Sequence, residues 1–298
     1  MRKVAISGRK QAIPNPDLKG ILDHLYAKYN RRVLIPPDPL QFVYHYAKTA
    51  DQEIVALLAS GLAYGRVEQI ARSLSDLFAR MGTSPSDFVR SFRTANRRHM
   101  RDFKHRFTSG DDLADLLEVL AWAIQQGGSL EAFFLRGYSP SDQTIVTGLD
   151  RFCSSLLDRF ASQHDGRIGP GLQYLLTRPA AGSACKRLNL FLRWMVRKDD
   201  VDLGLWKAVD RRKLIVPMDT HMRRLCRILG LYDRKTVSLS TAIQVTGRFA
   251  QIEPDDPVKY DFALSRIGIL EDCTGRQRPQ CQDCELRPFC YDANPTSP

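Results

Sequence analysis

Four cysteines close the chain as Cys273-x7-Cys281-x2-Cys284-x5-Cys290. A loop of this length can return four thiolates to one point, and the x2 pair supplies the tight corner that metal-binding loops favour. Small hydrophobes of an ordinary core gain nothing from such crowding, and a disulfide framework would spread its partners along a secreted chain. The four read as a ligand set for one cofactor. Spacing does not separate zinc from an iron-sulfur cluster, because four sulfurs suit both. Cys153, Cys185 and Cys226 sit on apolar helical faces and read as buried thiols.

Few other residues announce chemistry alone. Asp219 directly precedes a helical run and follows Pro217 by two residues, the pattern of a plain N-cap. Pro179-Ala180-Ala181-Gly182 is by itself an ordinary helix-to-helix turn. A magnesium-dependent, zinc-stabilised nuclease would need clustered carboxylates. Asp199, Asp200 and Asp202 are the dense acidic group nearby, and they read better as a loop and a cap.

The elements that position these residues are helical. Apolar residues recur at helical spacing over 17–29, 51–62, 67–78, 111–125, 145–160, 185–196, 220–229, 240–252 and 257–267. Pro36-Pro37-Asp38-Pro39 breaks the first run from the second, and Ser84-Pro85-Ser86 caps a short helix. Strand-like alternation is almost absent, so an all-α protein of roughly a dozen helices is expected. A formal charge of +11 gives a positive field suited to a polyanion, nucleic acid being the commonest such partner. No stretch approaches the ~20 apolar residues of a membrane span. The start carries Arg2, Lys3, Arg9 and Lys10 without an apolar region behind them, which points to a cytoplasmic protein.

The order of these pieces resembles the endonuclease III superfamily of helix-hairpin-helix DNA glycosylases. Its cluster loop runs Cys-x6-Cys-x2-Cys-x5-Cys, one residue shorter in the first gap than the loop here. Val216-Pro217-Met218-Asp219-Thr220-His221-Met222-Arg223-Arg224 with Leu229-Gly230 resembles the superfamily's Val-Asp-Thr-His-x-x-Arg stretch. Residues 53–65 are similar, more weakly, to the helix and turn that open its six-helix barrel. Residues 182–194, Gly-Ser-Ala-Cys-Lys-Arg-Leu-Asn-Leu-Phe-Leu-Arg-Trp, look closer still to a bacterial family known chiefly as a domain of unknown function.

The resemblance implies a two-lobed all-α fold. A barrel would span 46–214 with its helix-hairpin-helix near 172–197, and a second lobe would join 1–45 to 215–298. It implies a 4Fe-4S cluster on Cys273, Cys281, Cys284 and Cys290, with zinc the alternative. Asp219 becomes the catalytic carboxylate, stabilising positive charge on the sugar and orienting water. Gly182, Ser183 and Ala184 become the hairpin that grips a DNA phosphate through backbone N–H groups.

Bifunctional members carry a Schiff-base lysine two residues after the hairpin glycine, and here that position is Ala184. Lys186 is a candidate nucleophile, although about 200° further round a continuous helix it would face the wrong way. Leu62 or Tyr64 would fill the stack left by a flipped base. Arg66, Arg72, Arg187, Arg193, Arg223 and Arg224, with His221, would contact DNA, while Trp194 and Trp206 read as core.

The expected activity is a monofunctional glycosylase acting as a monomer on duplex DNA in the nucleoid, with weak lyase activity through Lys186 left open. The alternative is a DNA-structure-binding protein that keeps the fold and cluster without the chemistry. Room for a base beside Asp219 favours the enzyme; a carboxylate consumed by its own helix favours the binding protein.

Overall fold

A computed structural model describes residues 16–276 and 278–290. The basic arm lies outside them. Of the described residues 62% are helix and 2% strand, so the all-α expectation holds. The α-helices are α1 (Pro16–Tyr29), α2 (Thr49–Gly61), α3 (Val67–Met81), α4 (Pro85–Arg90), α5 (Gly110–Gly127), α6 (Leu130–Leu135), α7 (Val146–Gln163), α8 (Pro170–Leu175), α9 (Lys186–Val196), α10 (Thr220–Ile228), α11 (Leu239–Ile252) and α12 (Asp261–Leu270). Two-residue strands β1 (Lys104–His105) and β2 (Thr108–Ser109) pair antiparallel. No helix among the described residues is long and apolar enough to cross a membrane.

α2 is apolar along most of its length and is buried on nearly every side, against α9, α4 and the 3-10 segment Pro39–His45. A helix in that position must find partners for its acids, and both become caps for other helices. The Asp51 carboxylate accepts from Ser86 N–H at 2.8 Å, at the start of α4. Glu53 accepts from the N–H groups of Leu130 and Glu131, at 2.9 and 2.8 Å, and from the Trp206 indole at 2.8 Å. Free N–H groups at a helix start favour negative charge, so these acids fix α4 and α6 on α2. Trp194 and Trp206 are both buried, as the sequence indicates.

A second polar network joins α9 to α12. Arg193 is 2% exposed and pairs with Asp202 and Asp261. Arg197 pairs with Asp199 at 2.8 Å, with Asp256 at 2.9 Å and with Asp202. Arg193 therefore is not a phosphate contact, because its guanidinium lies inside the protein. Asp199 and Asp202 are similarly more than a loop and cap, since they are the counterions of two buried arginines. α12 starts at Asp261 rather than 257, because Lys259 and Asp261 donate to the carbonyls of Asp256 and Val258 in tight turns.

α1 packs on α12. Lys259 and the Tyr260 hydroxyl both donate to Asp23, at 2.7 and 2.8 Å, and the Tyr29 hydroxyl donates to Glu271 at 2.7 Å. Buried apolar side chains form one connected core from Leu18 to Leu286.

Candidate functional site

A cavity of about 660 Å³ opens between the end of α2, the start of α9, the turn before α10 and one face of α12. Asp219 and Lys186 both line it, with His221, Asp261 and Arg266. Asp219 is the N-cap of α10, and its Oδ1 accepts from Met222 N–H at 2.7 Å. Its second oxygen has no hydrogen-bond partner among the described residues. One carboxylate thus caps the helix and still borders an open cavity.

Lys186 reaches this wall because α9 begins at Lys186 itself. Gly182 (φ 79°) and Cys185 (φ 45°) are left-handed and turn the chain before the helix starts. A rotation computed along a continuous helix from Gly182 does not apply, and the wrong-face expectation is corrected. The ammonium donates to Ala63 O at 2.9 Å. His221 is held between α10 and α12: a Cβ on Gly268 would lie 2.3 Å from its Nδ1, so only glycine permits the approach. Burial lowers the His221 pKa, Asp219 opposes this, and the cations Arg224, Arg266 and Lys186 lower it further.

The remaining expected contacts divide. Ser183 lines the cavity, whereas Gly182 is exposed and Ala184 buried, and the Gly182 carbonyl accepts from Leu239 N–H at 2.9 Å. Arg187 stacks 3.7 Å over Tyr174 and donates to the carbonyls of Gly61 and Tyr174, so it is part of the wall rather than a free phosphate arm. Arg66 and Arg223 are exposed and lie outside the cavity lining. Leu62 is 0% exposed and cannot enter a duplex. Tyr64 lines the cavity, but its hydroxyl donates to Thr108 Oγ1 at 2.6 Å, which holds the ring in place. The accessible aromatic ring is Phe107, 58% exposed at the tip of the β1–β2 hairpin and stacked on Tyr64 at 4.9 Å.

Sequence reasoning missed Phe107 and Asp261. Phe107 carried no periodic signal in a two-residue turn, and Asp261 lay inside the expected helical run 257–267 with nothing to mark it. Burial pushes the Asp261 carboxyl up, Arg193 opposes this, and nearby Asp219 adds to the rise.

Cys273, Cys281, Cys284 and Cys290 line one small cavity of about 40 Å³, closed by Leu225 and Ile228 of α10, Ile267 of α12, and Leu286. All four are half-buried. Cys281 and Cys284 flank a single turn, the N–H of Cys284 reaching Cys281 O at 3.4 Å. Arg224 of α10 donates to the Cys273 carbonyl. Burial raises the Cys284 thiol, and the other three sulfurs add to the shift. Among the described residues no three acidic, histidine or cysteine groups stand close enough to hold a single metal ion. Cys153, Cys185 and Cys226 are buried, as expected, and burial raises each thiol.

No curated protein and no solved structure matches the chain. The sequence profile of a family described as a protein of unknown function (DUF2400) matches residues 38–270. That span holds Lys186, Asp219 and Asp261 and stops short of the four cysteines. With most of its length matched, the chain belongs to the DUF2400 family of proteins of unknown function.

Proposed function

We propose that the protein is a DNA glycosylase that hydrolyses the N-glycosidic bond of a damaged or modified base flipped out of duplex DNA. The observation that carries the reading is one cavity bordered by both Asp219 and Lys186. Its volume falls within the ~300–1,000 Å³ of small-molecule sites. As the C1′–N bond breaks, its electron pair leaves with the base and positive charge grows on the sugar. The Asp219 carboxylate opposes that charge and takes the proton of the attacking water. Lys186 offers a second route: its deprotonated amine attacks C1′, the base leaves with the bond's electron pair and a proton, and cleavage of C1′–O4′ opens the sugar to a Schiff base. The protein acts as a monomer in the nucleoid.

Cys273, Cys281, Cys284 and Cys290 are proposed to hold a 4Fe-4S cluster, zinc being the alternative. The fit rests on donor chemistry, four thiols around one apolar-walled space. Four sulfurs at the ~2.3 Å zinc distance would converge on a single atom, whereas a cluster holds its thiolates apart. Bound there, the group would tie four points of the loop 273–290 to one another against the apolar wall of α10 and α12.

Asp219→Asn tests the enzyme. Asparagine caps helices as well as aspartate does, so α10 should remain intact. Anaerobically purified protein is offered duplexes that each bear a single oxidised, alkylated or deaminated base, and abasic sites are revealed with alkali. Loss of the carboxylate should slow release by about 10²–10³-fold. Borohydride trapping that disappears in Lys186→Gln would establish the Schiff-base route. The cap on Asp219 favours a second reading, a DNA-structure-binding protein, and binding without release from any duplex would select it.

Phe107 replaces Leu62 as the residue that enters the vacated stack. Base-on-ring stacking contributes ~1–3 kcal/mol, so Phe107→Ala should slow release from duplexes by about tenfold or more. Release from single strands, where no stack need be opened, should be unchanged.

A further inference from the structure

The stretch leading from α4 into the hairpin carries seven basic residues, Arg90 to Arg106, against one acid, Asp102. Structure divides them into two sets. Arg90, Arg93 and Arg97 are committed to the protein: the first donates to Gly128 O, the second to Phe92 O, and the third pairs with Asp115 at 2.6 Å. Arg98, Arg101, Lys104 and Arg106 are exposed, and no carboxylate stands within ion-pair distance of them among the described residues.

Their arrangement is regular. Met100 and Phe103 are buried and seat the segment on the core. Arg98 lies in the 3-10 helix Thr94–Met100, and Arg101 continues the turn with helical backbone angles. Residues three apart eclipse in a 3-10 helix, at a step of about 6 Å, so Arg98 and Arg101 share one face. Lys104 follows at the same interval. Arg106 then occupies the first position of the two-residue hairpin turn with φ 54°, a place that favours glycine. Local sterics disfavour an arginine there, and its side chain makes no hydrogen bond or ion pair among the described residues.

The row ends at the cavity mouth. A Cβ on Gly65, a cavity residue, would lie 2.7 Å from Arg106 Cδ, and the Tyr64 hydroxyl donates to His105 O at 3.1 Å. His105, buried at the hairpin foot, meets Ser73 Oγ at 2.9 Å and fixes the hairpin on α3. A polyanion with one unit in the cavity would lay its neighbouring charges along this row.

We propose that Arg98, Arg101, Lys104 and Arg106 form a track for the phosphate backbone of duplex DNA, on the side of the cavity opened by the β1–β2 hairpin. The choice of DNA rests on the glycosylase reading. The track binds independently of sequence and of the base taken into the cavity.

The test uses the full chain and a fluorescein-labelled, undamaged 30-base-pair duplex, with anisotropy read over a series of KCl concentrations. Neutralising four phosphate contacts by Arg98→Ala, Arg101→Ala, Lys104→Ala and Arg106→Ala together should weaken binding at least about tenfold and flatten the slope of log Kd against log salt by about 3.6. A control removes equal charge elsewhere, with Lys48→Ala, Arg167→Ala, Lys198→Ala and Lys207→Ala, and should leave most of the slope. Arg98→Ala and Arg101→Ala singly, each flattening the slope by about 1, carry the test where the combined variant misfolds. An unchanged slope, equal losses in both fourfold variants, or tighter wild-type binding to RNA duplex, single strands or polyglutamate would overturn the track. A flattened slope with no base release from any duplex would keep the track and remove the glycosylase.

Discussion

Arg193→Ala is expected to destabilise the protein by about 3–5 kcal/mol, the cost of stranding buried partners of a removed charge. Net stability of a domain is only about 5–15 kcal/mol, so the variant should lose a large share of its urea midpoint. Arg193 sits between Asp202 on the loop after α9 and Asp261 at the start of α12, and all three side chains are almost wholly enclosed. Asp23 offers the contrast. It also meets several donors, but it is 38% exposed, and water screens the pairs. Asp23→Ala should cost no more than about 1 kcal/mol.

The loss in Arg193→Ala should also depend on pH. Burial raises Asp261 from 3.8 to about 7 even with Arg193 opposing the rise. A carboxyl raised by folding contributes stability that is complete below its unfolded value, near pH 4, and lost as pH climbs through its folded value near 7. Removing the one cation paired with it pushes the carboxyl higher still. The variant should therefore be further below wild type at pH 8 than at pH 6, and equal deficits at the two values would show that Asp261 does not titrate there.

If the four cysteines hold the proposed cofactor, Cys284→Ala should remove it and with it the order of the C-terminal loop. Thiolate ligation contributes on the order of 10 kcal/mol in small structural metal sites, which exceeds any packing the loop has of its own. Among the described residues of 273–290, Leu286 alone belongs to the fully buried core. Wild-type protein should carry iron and acid-labile sulfide in equal amounts, whereas zinc without sulfide would replace the cluster with the alternative. The variant should lose both and become cleavable by protease within the loop. Cys153→Ser, at a buried thiol remote from the loop, should keep full cofactor content. Full content in Cys284→Ala would remove this cysteine from the ligand set.

What the sequence made legible follows from how far each signal reaches. Long amphipathic runs identified α2, α3, α5, α7, α9, α10 and α11, because a buried stripe repeats every three to four residues. α6 and α8 span six residues each, too few for a repeat to register. The four cysteines stood out by residue type and spacing and line one small space, whereas Asp219 read alone as the N-cap that it is, and only the resemblance pointed to a further role. Leu62 was misread because its type fits both a wedge and a core, and burial, which decides, depends on distant chain. Arg193 failed similarly: a lone arginine on a helix looks solvated until Asp202 and Asp261 arrive from elsewhere. Lys186 failed through backbone geometry, since a left-handed cysteine gives no sequence warning.

The bolts between α1 and α12 bear on how the chain is made. Asp23 waits for Lys259 and Tyr260, 236 and 237 residues later, and Lys28 waits for Glu285, 257 residues later. At the ~5–20 residues per second of ribosomal synthesis, the first helix emerges roughly 10–50 s before its docking face exists. During that interval Leu18, Leu22 and Leu25 have no final surface to cover, because α12, on which α1 packs, has not yet been made. Closure is then a late event, in which α1 is sealed by residues made more than two hundred positions after it.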